Sequence, residues 1–138
     1  MDKLDCNKAL INKFDDSIVL IEYTANENVE AHDLSHIERS IGTLIGNHPY
    51  FAISVLPQSF KNFSIEAKNF ITEKTDRLEN RLIDCYVTDS LSKRLELEVF
   101  FQFHKPSKKT KIFTSLNKAL TFIEGEKKLE VNKKGALV

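Results

Sequence analysis

Four groups of residues in this chain are of types and spacings that could do chemistry. His32 and His36 stand four apart, which puts two imidazoles on one helix face, a metal-ligand spacing. No third histidine or cysteine is tied to them by a motif, and both fall off the apolar stripe of their segment, so they read as an exposed polar face and no metal is assigned. Asp84 interrupts an apolar run. In open α/β sheets, carboxylates near the strand ends line ligand clefts; the plainer reading is an edge or capping carboxylate. Asp89-Ser90 opens a helix, and its first N–H groups could hold an anion or simply be capped by Asp89 or Ser90. Lys105, Lys108, Lys109 and Lys111 follow the end of that helix. They complement its dipole, and they serve either as a solvated charge run or as an anion site for a phosphate or lipid headgroup.

The motifs of common enzymes are missing. There is no Gly-x-Gly-x-x-Gly, no P-loop and no Gly-x-Ser-x-Gly, and four glycines are too few for a phosphate-cradling loop. No catalytic residue, cofactor or metal is assigned, and no enzyme activity is expected. Lys+Arg and Asp+Glu are 20 each, so no general pull toward nucleic acid or an anionic membrane is indicated. Phe113 is a lone aromatic beside the lysines, not a stacking array. The zero net charge conceals a gradient: residues 104–138 hold nine lysines and three glutamates, which makes +6 there and −6 over residues 1–103. Cys6 and Cys85 are far apart and outside any Cys-x-x-Cys, as suits a reducing compartment. No signal-peptide core opens the chain and no apolar run reaches membrane-spanning length, so the expected location is the cytoplasm.

The elements that must position these residues follow from periodicity. Residues 7–14 and 17–23, split by Asp15-Asp16-Ser17, read as an antiparallel hairpin whose first strand is the sheet edge. The run Ile18–Ile21 predicts a strand buried on both faces. Leu34, Ile37, Ile41, Leu44 and Ile45 make one helical stripe over 31–45, and Gly46-Asn47 stops it. Tyr50–Leu56 is an interior strand ended by Pro57. Ser64 caps a helix with Ala67, Phe70 and Ile71 turned inward, and a second helical piece is expected over 72–80 with Leu78 inward. Leu82–Phe113 then reads as strand, turn, helix, basic loop and strand, a βαβ unit. Leu116, Ala119, Leu120 and Ile123 form a last helix, stopped at Gly125. The fold class is α/β, in the order β-β-α-β-α-β-α-β-α, with a mostly parallel sheet and an N-terminal antiparallel strand. One domain is expected over 1–125, with a frayed basic tail over 126–138.

The helix over 91–103 carries more apolar surface than one sheet can cover. Leu91, Leu95 and Val99 form one row, Leu97 and Phe101 a second, Phe100 lies between them and Phe103 follows. So wide an arc packs partly on a neighbouring helix, a second subunit or an apolar ligand.

Several of these segments resemble a family. Cys85-Tyr86-Val87-Thr88-Asp89-Ser90-Leu91-Ser92-Lys93-Arg94 resembles the bacterial STAS-like pattern of a strand followed by Ser-Pro-Leu-Ser-Arg. Phe101-Gln102-Phe103-His104-Lys105-Pro106 is similar to its Phe-x-x-x-Lys-Pro helix end, and Ser64-Ile65-Glu66-Ala67 to its Ser-x-Glu-Ala start. Thr110–Ser115 and Ala119–Ile123 resemble its closing strand and helix, with Phe122 where the family has Trp. The resemblance covers about residues 8–124 and implies the fold of the anti-sigma-factor antagonists, related in shape to CRAL-TRIO lipid-binding domains. It also implies a phosphorylated serine at the start of the helix after the third strand, where Ser64 falls. Here Asn62-Phe63-Ser64 replaces the family's Asp-Ser-Ser-Gly loop, and Leu56-Pro57 stands where an acidic residue often ends the strand. A phosphate on Ser64 would draw in Lys61 or Lys68.

Together these readings lead to a non-enzymatic regulatory or protein-interaction module, a homodimer through the helix over 91–103 or bound to a protein partner. The alternative is a binder of a small apolar or lipid-like ligand whose anionic head meets Lys105–Lys111.

Overall fold

The computed structural model describes residues 2–24, 28–57, 62–72 and 79–136, with side chains as far as Glu130. Six strands form one sheet in chain order: β1 (Lys3–Asp5), β2 (Ala9–Asp15), β3 (Ile18–Tyr23), β4 (Tyr50–Leu56), β5 (Arg81–Thr88) and β6 (Lys109–Phe113). β1, β2 and β3 pair antiparallel, and β3 to β6 run parallel. The helices are α1 (Ala31–Ile45), α2 (Ile65–Thr72), α3 (Leu91–Phe103) and α4 (Leu116–Ala136). The expected alternation of strand and helix is the one found.

Each of β3, β4 and β5 is followed by a helix and then by the neighbouring strand. Right-handed crossovers laid down in one direction put all the connecting helices on one side of the sheet. Leu34, Ile37 and Ile41 of α1, Ala67 of α2 and Leu97 of α3 accordingly share a core with Val19, Ile21, Ala52 and Tyr86. The opposite pleat, Ile18, Leu20, Phe51, Ile53, Ile83, Cys85 and Val87, is covered by Ala119 and Ile123 of α4. β3 and β4 are therefore sandwiched between layers, which is why their sequences are near-continuous apolar runs.

Helix ends follow local chemistry. Glu30 and Asp33 form a reciprocal capping box at the start of α1. Gly46 ends it with φ of 66°, the left-handed region that favours glycine. Ser64 Oγ accepts from the Ala67 amide at 3.0 Å, and Ser90 Oγ from the Lys93 amide at 3.2 Å. Asp89 is not the cap of α3; it pairs with Lys93 Nζ at 3.0 Å.

Two expectations are corrected. β2 is not the sheet edge, because β1 pairs along its outer side, with Lys3 opposite Asn12 and Asp5 opposite Leu10. Three residues with a single apolar side chain leave no periodic signal, and pairing with β2 is what orders them. Nor does the last helix stop at Gly125: α4 continues to Ala136, through the segment expected to fray. Glu126 and Lys127 hold this extension to the body, through Lys109 Nζ at 3.2 Å and Asp15 Oδ2 at 2.8 Å. Of the helical piece expected over 72–80, Thr72 closes α2, residues 73–78, Leu78 among them, lie outside the described residues, and Glu79-Asn80 form a turn rather than a helix.

Candidate functional site

The most concentrated polar chemistry lies inside the fold, between α1 and the sheet. β5 pairs with β4 with Arg81 opposite Tyr50 but Ile83 opposite Phe51, so one extra residue, Leu82, is accommodated there. This bulge turns Arg81 to the same face as Asp84 and Tyr86. β4 brings Tyr50 and Ser54 to that face, β3 brings Tyr23, and α1 supplies Glu38 from within its buried stripe.

Arg81 is the hub. Its Nη2 donates to both Glu38 oxygens at 2.6 and 2.8 Å, its Nε to the Tyr50 hydroxyl at 3.1 Å, and its Nη1 reaches Asp84 Oδ2 at 3.4 Å. The Tyr86 hydroxyl donates to the same Asp84 oxygen at 3.4 Å. Asp84 Oδ1 is buried with no hydrogen-bond partner among the described residues. Burial works against the Arg81 charge, but Glu38 and then Asp84 hold the guanidinium protonated well above its ordinary value. Burial raises the Asp84 carboxyl above the ordinary 3.8, with Arg81 and Tyr86 opposing it. Burial also raises the Tyr23, Tyr50 and Tyr86 hydroxyls, which stay neutral, Tyr86 as a donor to Asp84 and Tyr50 as an acceptor from Arg81. A cavity of about 20 Å³ adjoins the cluster, roofed by Leu34, Phe70 and Ile71.

From the sequence Asp84 reads as a carboxylate near a ligand cleft at the strand end or, more plainly, as an edge or capping carboxylate. It is neither: it is the fourth residue of the eight-residue β5 and is buried. Arg81, Glu38, Tyr50 and Tyr86 were not singled out. The signal was there in Glu38, a carboxylate set within the Leu34–Ile37–Ile41 stripe, and in Asp84 and Tyr86, two apart on one strand face.

The apolar row of α3 divides sharply. Leu97 is fully buried, and Phe100 and Phe101 are half-buried, with the Phe101 ring 5.3 Å from that of Tyr86. Leu91, Leu95, Val99 and Phe103 are 67%, 50%, 53% and 77% exposed. At i, i+4, i+8 and i+12 they form one ridge running the length of the helix. Among the described residues no neighbouring helix takes up this surplus.

The lysines disperse. Lys109 turns to Glu126 and the Phe122 ring on the α4 side, and Lys111, two residues on, shares that pleat. Lys108 Nζ donates to the Glu79 carbonyl at 3.4 Å. Lys105 lines a groove of about 480 Å³ between α3 and β6, with Phe101, Pro106 and Ile112. The four do not converge on one point. His32 and His36 are exposed, with His32 Nε2 3.4 Å from Asp33. Among the described residues no group of three metal-ligating side chains forms. Cys6 and Cys85 are buried free thiols, and burial pushes Cys85 up to about 12, which leaves it inert as a nucleophile. Ser64 is half-buried at the start of α2; Lys61 lies outside the described residues.

One family model, described as Domain of unknown function (DUF7793), matches residues 12–127, and the chain belongs to that family. The match begins within β2, at Asn12, and ends within α4, at Lys127, so it takes in β3 to β6, α1 to α3 and the first part of α4. No curated protein and no solved structure matches the chain. No helix among the described residues is long and apolar enough to cross a membrane.

Proposed function

We propose that the protein is a non-enzymatic regulatory and protein-interaction module of the STAS-like type, and that it works as a homodimer through α3. The observation that carries this reading is the exposed ridge Leu91, Leu95, Val99 and Phe103. Ridges of i, i+4 residues pack into the matching grooves of a second helix. About a two-fold axis, Leu95 of one copy meets Val99 of the other, and Leu91 meets Phe103. The flank of the ridge is self-complementary in charge: Arg94 and Glu98 lie one turn apart, with Nε to Oε1 at 2.9 Å. An isologous contact can exchange such pairs between copies without net repulsion. Concentration-dependent NMR spectra test it. Resonances of the four ridge residues should shift with dilution while those of Ile37 and Ile53 in the two cores stay fixed; a spectrum independent of concentration contradicts the proposal.

A second reading has its own observation. The α3–β6 groove is lined by the apolar Phe101, Pro106 and Ile112 and by Lys105, with the Glu98 carboxylate, which pairs with Arg94, also on its wall. That suits a small apolar or lipid-like ligand with an anionic head. Native mass spectrometry should find a copurifying ligand that Lys105→Glu loses; none, together with no thermal shift on adding anionic lipid, opposes this reading.

A further inference from the structure

We propose that the carboxyl edge of the sheet, between β5 and β6, is a binding site for a small monocarboxylate with an apolar body. The site shares no lining residue with the α3 ridge or the α3–β6 groove and depends on neither.

The first observation is topological. β5 and β6 are parallel neighbours. The chain leaves β5 for α3 on one face of the sheet, and leaves β6 for α4 on the other. The two connections diverge and open a crevice at the strand ends. In open α/β sheets this switch point, outside the carboxyl ends of the strands, is where ligands bind.

The second is a cavity of about 350 Å³ at that place. Its size lies at the lower end of the roughly 300–1,000 Å³ range of small-molecule sites. The ends of β4 and β5 and the start of α4 all contribute to its lining. Leu56, Val87 and Thr88 in that lining are core residues, 2%, 6% and 2% exposed. The cavity is therefore built against the packed end of the sheet. By contrast, the hollow of about 470 Å³ bounded by Lys13, Asp16, His48 and Pro49 has no buried residue in its lining.

The third is charge. Asp89, on the cavity wall, pairs with Lys93 at 3.0 Å, so these two charges offset each other. Lys118, in the first turn of α4, donates through Nζ to Thr114 Oγ1 at 3.3 Å and has no carboxylate partner among the described residues. Thr114 and Ser115 line the cavity, and both use their oxygens as acceptors from Lys118. Their O–H groups have no acceptor among the described residues and are left as donors. The positive end of the α4 dipole adds to the same sign. One ammonium without a carboxylate, beside two hydroxyl donors, complements a single negative charge. Val55, Leu56, Val87 and Leu116 suit the apolar body that carries it. A phosphate dianion would call on a second cation, and Lys93 is already held by Asp89.

The test is an NMR titration of the full chain with acetate, butanoate and hexanoate, and with hexylammonium as the charge-reversed probe. Hexanoate should shift the amides of Thr88, Thr114 and Leu116 saturably, and affinity should rise by up to about fourfold for each methylene buried. Hexylammonium should leave these amides unmoved. Lys118→Glu, a change at an exposed position, should weaken hexanoate about fivefold, whereas Lys105→Glu should leave it unchanged. Hexanoate shifts confined to Lys105, Thr110 and Ile112 would place the ligand in the α3–β6 groove and overturn the proposal. So would the absence of any saturable shift, equal shifts with hexylammonium, affinity independent of chain length, or hexanoate binding unchanged in Lys118→Glu.

Discussion

Arg81 and Glu38 are 43 residues apart in the chain, yet one guanidinium nitrogen lies 2.6 and 2.8 Å from the two carboxylate oxygens. This pair ties α1 to β5 across the core. Hydrophobic contact is non-directional and lets a helix slide over a sheet, whereas a buried ion pair with this geometry sets one register.

Removing the cation should therefore be severe. Arg81→Met takes away the group that Glu38 and Asp84 share, and the expected loss is about 3–5 kcal/mol in urea denaturation. Glu38→Gln alone should also destabilise the protein. The double variant should lose less than the sum of the two, with a coupling of about 0.5–3 kcal/mol. Strict additivity would mean that the pair is not formed in solution.

Asp84 sets a pH dependence whose sign is opposite to that of an ordinary surface carboxylate. Its folded value is raised above the ordinary 3.8, so the folded state holds the proton more tightly than the unfolded chain. Below 3.8 both states are protonated and the site costs nothing. As pH rises from there to the folded value, the unfolded chain loses its proton first and stability falls; above the folded value the loss is complete and constant. Asp84→Asn should remove this segment of the stability–pH curve. A curve unchanged in Asp84→Asn would contradict the assignment.

The parts of the fold that the chain states locally were legible, and the parts that depend on pairing between distant segments were not. α1 and α3 are found at the predicted bounds because stripe and stop coincide for α1, and a capping residue and the polar break after Phe103 bound α3. β1 was missed because three residues carry no period of their own. The length of α4 was missed because Gly125 reads as a stop, whereas Lys127 and Glu126 find Asp15 and Lys109, more than a dozen residues away in the chain. The buried cluster was missed for the same reason. Arg81 reads as polar punctuation before a strand until the bulge at Leu82 turns it inward, and nothing local joins it to Glu38. The surplus of the α3 arc, by contrast, was visible in composition alone.

Ser64 offers a milder test. Its Oγ is the acceptor for the Ala67 amide, so Ser64→Ala should cost about 1 kcal/mol. Ser64→Asp retains an acceptor and places a negative charge at the helix start, so it should stay close to wild type in stability. If Ser64 is a phosphorylation switch, Ser64→Asp should alter self-association or partner binding while melting is unchanged; unaltered association would remove that role.

The C-terminal half of α4 should contribute little but measurably. Truncation after Gly125 removes the ion pairs to Lys109 and Asp15, both partly exposed, each worth about 0–1 kcal/mol. The truncated chain should stay folded and melt slightly lower. Global unfolding would show that this half of α4 is part of the core.

The central claim is the α3 dimer, and the most direct test is size exclusion with light scattering across a dilution series, run on the wild type and on Leu95→Glu/Val99→Glu, which sets like charges against each other across the two-fold axis. The wild type should pass from dimer mass at high micromolar concentration toward monomer on dilution. The variant should remain monomeric with its melting temperature preserved, because both side chains are exposed in the single chain. A wild type that is strictly monomeric at high micromolar concentration, or a variant that dimerises as well as the wild type, would contradict the account.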